Sequence, residues 1–287
     1  MTLNRTRVCC VIGDPIEHTL SPLIHNRAYQ DLGLDFVYVA FKVKKEALEK
    51  AVDGMRAFDI HGMNVTIPHK IKVIEYLDAV DGIAQDIGAV NTIVNNNGRL
   101  TGYNTDADAA IRALSENKIA LRDKTVVILG AGGVARAIAF AIAKEKPDHI
   151  AILNRTKEKA RKLAGHIQGK TGISATADGL DQQSLTANLK NADLVVNCTP
   201  IGMAPYIDQS PIPKKLLRRK MAVMDAVYNP LETRLLKDAK DASSTTVSGI
   251  DMFIHQAASA FEMWTGHRAP FNTMKEAAIQ ALKSKTT

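Results

Sequence analysis

Two short stretches in the middle of the chain carry residue types whose spacing suits the binding of a phosphorylated ligand. Thr125 to Leu129 offers an apolar, β-branched run that reads as a buried strand, and the Ala/Ile-rich run after Arg136 reads as a helix packed against it. Between them, Gly130-Ala131-Gly132-Gly133-Val134-Ala135 fits G-x-G-x-x-A. Gly130 permits a tight strand-to-helix turn, Gly132 lets a pyrophosphate approach the backbone, and small Ala135 lets the helix lie close to the strand. The helix N-terminus then presents N–H groups to an anion. A glycine cluster by itself marks only a turn; the flanking strand and helix, with a second strand at His149 to Leu153, turn the reading toward dinucleotide binding.

The end of that second strand carries Asn154-Arg155-Thr156. A site for NAD places an acid there, on the ribose 2′-hydroxyl. A guanidinium and a hydroxyl instead suit a 2′-phosphate, so the implied cofactor is NADP. The competing reading of Arg155 is a solvated loop cation. Nearer the N-terminus, Thr19 and Ser21 lie two apart in a loop that enters a helix at Pro22. Two hydroxyls so placed can hold a carboxylate, and simple capping by Ser21 explains the pattern equally well.

The elements that must position these groups follow from periodicity and turn chemistry. Val8 to Ile12, Phe36 to Val43 and Met63 to Ile67 read as strands, with helices from Pro22 to about Leu32, from Lys45 to Phe58 and from about Lys70 to Leu77. Ala89 to Val94 and Leu100 to Tyr103 flank Asn97-Gly98, a hairpin signal. After the second cofactor strand come a helix from about Glu158 to His166, a stretch without clear pattern, strands at Leu194 to Val196 and Met221 to Met224, a short helix after Pro230, and Thr245 to Val247. Helices at Met252 to Trp264 and Thr273 to Leu282 close the chain. The expected fold class is α/β in two domains, with a boundary near Asp106.

A length of 287 residues suits two such domains, and 46% hydrophobic with 23% charged residues is a globular composition. The net charge of +7 favours small anions, while no basic run interleaved with aromatics points to nucleic acid. Cys9, Cys10 and Cys198 are too few for a disulfide framework or a metal site and read as buried thiols of a reducing compartment. No apolar run reaches the ~20 residues of a membrane span and no signal-peptide pattern opens the chain, so the expected location is cytoplasmic.

Taken together, H-T-L-S-P-L-I-H-N at 18–26, N-V-T-I-P-H-K at 64–70, G-A-V-N-T at 88–92, N-T-D at 104–106, G-A-G-G at 130–133, N-R-T at 154–156, N-C-T-P-I-G-M at 197–203 and G-I-D-M-F-I-H-Q-A at 249–257 resemble the shikimate and quinate/shikimate dehydrogenase family over nearly the whole length. The resemblance implies reversible NADP-dependent reduction of 3-dehydroshikimate to shikimate, on the route to aromatic amino acids. It implies Lys70 and Asp106 as catalytic residues, and Thr19, Ser21, Asn64, Thr66, Asn91, Tyr228 and Gln256 as substrate contacts. Cofactor contacts implied are residues 130–135, Asn154, Arg155, Thr156, Thr199, Gly249 and Met252. Thr66 as a plain strand threonine and Met252 as plain core remain competing readings; His18, His25, His69 and His255 read as structural, with no metal-ligand spacing.

The same resemblance implies a substrate domain of residues 1–106 completed by 252–287, a Rossmann-like NADP domain of residues 107–251, an active site in the cleft between them, and a monomer or homodimer. Thr19 stands where many members have Ser, Ala107 where Gly is common and Phe253 where Leu is frequent. The first leaves room for quinate use. A binding-only relative is the rival of another class, and it has no need of both Lys70 and Asp106.

Overall fold

The computed structural model describes residues 6–284. The ends of the first expected domain, 1–5 and 285–287, lie outside the described residues. The chain forms two compact units, one running to Thr105 and resuming at Ile254, the other Asp106–Phe253.

The first unit holds β1 (Arg7–Gly13), α1 (Ser21–Asp31), β2 (Phe36–Lys42), α2 (Leu48–Ala57), β3 (Gly62–Val65), β4 (Ala79–Val80), α3 (Gly82–Ile87), β5 (Thr92–Asn96) and β6 (Arg99–Tyr103). Its sheet runs β2-β1-β3-β5-β6-β4. The strands β2, β1 and β3 are mutually parallel, and β5 is antiparallel to both β3 and β6. Asn97 and Gly98 both take positive φ, 53° and 87°, the twist a two-residue hairpin demands. Buried Ile12, Leu48, Val52, Met55, Met63, Val73, Ile93 and Leu100 form the core on one face of this sheet.

The second unit holds α4 (Asp106–Glu116), β7 (Thr125–Leu129), α5 (Gly133–Lys144), β8 (His149–Asn154), α6 (Lys157–Thr171), β9 (Ala175–Gly179), α7 (Gln182–Leu189), β10 (Leu194–Asn197), β11 (Ala222–Asp225), α8 (Arg234–Asp241) and β12 (Thr245–Val247). Helix α9 (Gly249–Thr265) begins here and ends in the first unit, where α10 (Phe271–Ser284) follows it. All six strands are parallel, in the order β9-β8-β7-β10-β11-β12. Counted within the unit this is 3-2-1-4-5-6, the doubly wound dinucleotide-binding order, whose switch point lies between β7 and β10.

Several expected elements differ. No α-helix follows Lys70; Lys72–Tyr76 is a 3₁₀ helix. The chain is held at both ends of this stretch, by Val90 N–H on the Lys70 carbonyl at 2.7 Å and by Asp78 N–H on Leu100, and the longer 3₁₀ rise spans the gap. Ser21 is not the cap of α1 but its first residue; Leu20 holds the cap position, and the Thr19 hydroxyl accepts the Ser21 N–H at 3.3 Å. The patternless stretch after His166 contains the end of α6, β9 and α7, the last capped by Asp181 on Ser184. Strand β9 has few large apolar residues because it is an edge.

Candidate functional site

In the second unit the loops that leave β7, β8, β10 and β11 gather the residues expected to hold a cofactor. Gly130 has φ +108°, and a Cβ there would lie 3.1 Å from the Cys198 carbonyl, so the first glycine turns the chain and lets it pass the β10 loop. At Gly132, the cap position of α5, no side chain caps the helix and a Cβ would meet nothing within 4 Å. With no side chain capping it, the N-terminus of α5 leaves first-turn N–H groups that an anion can take. Ala135 is fully buried against the sheet.

At the end of β8, the Asn154 Nδ2 donates to the Thr156 carbonyl at 2.9 Å and shapes the loop that exposes Arg155. The acid at the end of the neighbouring strand, Asp178, is held by Lys157 at 2.7 Å.

Thr199 donates to the Asn197 Oδ1 at 2.7 Å, and the Asn197 Nδ2 donates to Asp225 at 2.9 Å. Asp225 also accepts from the Val227 N–H and the Thr233 hydroxyl, tying the β10 and β11 loops into one network. Burial pushes the Asp225 carboxyl up to about 6, although these three donors pull the other way. The folded state thus keeps this proton at pH values where the unfolded chain has lost it. Stability from protonated Asp225 is fully present below the ordinary carboxylate range and is lost as pH rises through about 6. Denaturant melts of wild type and Asp225→Asn are expected to show the wild type's advantage shrinking by on the order of 2 kcal/mol between about pH 4 and pH 7. A difference flat in pH rejects the burial argument.

Gly249 has a reason of its own to lack a side chain: a Cβ would lie 2.5 Å from the Val227 carbonyl and 2.6 Å from that of Asp225. Met252 is buried, and Phe253 stacks on Tyr228 with ring centroids 4.1 Å apart. Asp106, the first residue of α4, is buried, and its charge is felt at the Cys198 thiol, which burial above all pushes up.

Among the expected substrate contacts, Asn64 lies on β3, Thr66 just past it and Asn91 just before β5 in the first unit, while Tyr228 lies in the second unit. Lys70 is buried in the turn after Pro68, and neighbouring His69 gives its Nε2 to the Val43 carbonyl at 2.7 Å. Asn64 is buried on β3; its Nδ2 donates to the Asn91 carbonyl and to Thr92 Oγ1, each at 3.1 Å. Asn91 clamps Thr105, accepting its N–H at 2.8 Å and donating to its hydroxyl at 2.9 Å, which fixes the chain one residue before Asp106. Thr66 lies half-buried just past β3, its methyl occupying the space over Gly13, and Gln256 is half-buried on α9. Thr19 donates to the Ser21 hydroxyl at 3.2 Å.

Among the described residues no three or more His, Cys, Asp or Glu side chains gather to hold a metal, and no helix is long and apolar enough to cross a membrane. Sequence reasoning missed Tyr38, whose phenol donates to the Asn64 Oδ1 at 2.6 Å, and the Asp225–Thr233 pair. The available signal for Tyr38 was a tyrosine inside an apolar strand, since a buried hydroxyl needs a partner.

Three family models match: Shikimate dehydrogenase substrate binding domain over residues 11–93, Shikimate 5'-dehydrogenase C-terminal domain over 249–279, and Saccharopine dehydrogenase NADP binding domain over 126–247. The shikimate dehydrogenase (NADP(+)) of Methanocaldococcus jannaschii is 48% identical over 283 residues, covering 97% of this chain and 98% of its own. The chain belongs to the shikimate dehydrogenase family. A solved shikimate dehydrogenase in complex with NADP+ superposes with a TM-score of 0.89 at 46% identity, over 96% of each chain. A Thermus thermophilus shikimate 5-dehydrogenase in complex with NADP(H) and shikimate gives 0.84 at 36% identity, over 96% of this chain and 100% of that one.

Proposed function

We propose that this chain catalyses the reversible NADP-dependent reduction of 3-dehydroshikimate to shikimate. The observation that carries this reading is full-length likeness, 48% identical, to a relative of that activity. We assign residues 1–106 with 252–287 to substrate binding and residues 107–251 to NADP, and the protein to the cytoplasm as a monomer or homodimer; buried thiols at Cys9 and Cys10 suit a reducing compartment.

NADPH, when bound, supplies a hydride. The α5 N-terminus with Gly130, Ala131, Gly132, Gly133, Val134 and Ala135 holds the pyrophosphate, Asn154, Arg155 and Thr156 hold the adenosine end, and Thr199, Gly249 and Met252 lie along the nicotinamide side. Thr19 and Ser21 take the substrate carboxylate, and Tyr228 lies near that carboxylate or near the nicotinamide. Asn64, Thr66, Asn91 and Gln256 take ring hydroxyls. Reduction of the ketone leaves an oxyanion, and the Lys70 ammonium supplies both the positive charge and the proton it needs. Asp106 orients that ammonium and accepts from the neighbouring hydroxyl. In oxidation Lys70 accepts the proton.

Initial rates with shikimate and quinate, each with NADP and NAD, test the assignment; shikimate with NADP is expected to dominate. Comparable turnover of quinate or NAD transfers the reading to the broader quinate/shikimate branch, and no turnover at all transfers it to a binding-only relative. Loss of a charge-assisted bond to the 2′-phosphate in Arg155→Ala is expected to raise KM for NADP by about 10–100-fold. KM for NAD stays nearly unchanged. Equal losses for both cofactors remove the 2′-phosphate role.

A further inference from the structure

The H-T-L-S-P-L-I-H-N motif contains more than substrate binding explains. Thr19 and Ser21 have a role there, while His25 and Asn26 converge on Tyr38. Asn26 donates to the Tyr38 carbonyl at 2.9 Å and accepts its N–H at 2.8 Å, so its amide closes the open edge of β2 at this one residue. His25, one helical turn after Ser21, stacks flat on the Tyr38 ring, centroids 4.4 Å apart and planes 3° apart. Burial pulls the imidazole down to about 3, so it packs as a neutral ring. Trp264 borders the same ring at 6.0 Å.

With its backbone tied to Asn26 and one ring face stacked on His25, the Tyr38 phenol is held toward Asn64. Its hydroxyl donates to the Asn64 Oδ1 at 2.6 Å, and the Ser21 side chain hydrogen-bonds the phenol oxygen itself. Tyr38 is 1% exposed and Asn64 7%. Both Asn64 Nδ2 hydrogens are spent on Asn91 and Thr92. A carbonyl oxygen has two lone pairs, and Tyr38 takes one. What Asn64 offers a ligand is therefore the second lone pair of a carbonyl whose orientation is fixed on both sides.

We propose that Tyr38 is a positioning residue for substrate: its phenol sets the Asn64 amide as a hydrogen-bond acceptor for a substrate hydroxyl and braces the Ser21 hydroxyl beside it. This rests on the reading of Ser21 and Asn64 as substrate contacts. The His25 and Asn26 side chains serve the same end, since they hold the tyrosine that aims the amide. A ligand carrying a hydroxyl donor at that point is accepted, and one carrying only an acceptor there meets a repelling lone pair.

Steady-state kinetics and thermal melts of wild type, Tyr38→Phe, Asn64→Ala and the double variant test it. Tyr38→Phe keeps the ring and its stacking, so the melting temperature should shift by only a few degrees. KM for shikimate should rise about tenfold, kcat should fall less than about threefold, and KM for NADP should not move. Asn64→Ala should raise KM for shikimate at least as much, with the double variant no worse than Asn64→Ala. If Asn64→Ala raises that KM and Tyr38→Phe leaves it unchanged, the phenol is a core bond only and the proposal is overturned. Additive losses in the double variant, equal losses for shikimate and NADP, or failure of Tyr38→Phe to fold overturn it as well. A neutral Asn64→Ala instead overturns the substrate-contact reading beneath it.

Discussion

Lys70→Ala is expected to lower kcat by about 10²–10⁴-fold while shikimate still binds within a few-fold of wild-type affinity. The oxyanion formed by hydride transfer exists only beyond the ground state, so the group that neutralises it acts chiefly on turnover. The substitution leaves the local backbone intact. The turn is held by main-chain bonds, the Lys70 carbonyl accepting from Val90 at 2.7 Å and His69 N–H reaching the Thr66 carbonyl at 2.9 Å, and neither involves the lysine side chain. Single-turnover rates and calorimetric shikimate affinity, measured side by side, separate the two effects. Unchanged kcat with a raised KM would mean that Lys70 only binds substrate, and the general acid would have to be sought elsewhere.

Trp264→Ala is expected to cost about 3–5 kcal/mol of stability, the range for emptying a buried large aromatic site. Trp264 is 3% exposed on α9 and is the only tryptophan of the chain. Its indole N–H donates to the Ile93 carbonyl at 3.0 Å, its own carbonyl meets His61 Nε2 at 2.8 Å, and its ring lies over Gly62, where any Cβ would run into the indole. One residue thus fastens the last part of the chain to β3 and β5. At roughly 2–4 °C per kcal/mol for a fold of this size, the unfolding transition followed by circular dichroism should fall by about 10 °C. Trp264→Phe should lose less, because it keeps most of the ring and abandons only the bond to Ile93. A melt that matches wild type would show that α9 does not close the first unit through this side chain.

Much of the fold was legible because it is local. Five of the second unit's six parallel strands are readable in the sequence, as short apolar runs such as Val126 to Leu129 and Leu194 to Val196, and Asn97-Gly98 specifies its own hairpin. The glycine turn is legible for the same reason: Gly130 at φ +108° and the open backbone at Gly132 are properties of residue type and position along one strand–helix junction. Strand β9 and helix α7 escaped notice because Ala175–Gly179 is an edge whose sequence carries little apolar signal. The helix expected after Lys70 failed because hydrogen bonds to Val90 and Leu100, distant in sequence, fix how far that stretch must reach.

The sequence by itself therefore determined the α/β class and the dinucleotide turn, since each depends on residue type within a short window, while Lys70 and Asp106 were singled out only by the resemblance of many motifs over the whole chain. Only the tertiary structure decided that β9-β8-β7-β10-β11-β12 is the strand order, that Gly249 makes room for the carbonyls of Asp225 and Val227, and that Tyr38 aims Asn64. Those facts join residues 22 or more positions apart. A hydrogen bond or a close contact across such a span has no local periodicity; it exists only once packing has fixed both ends.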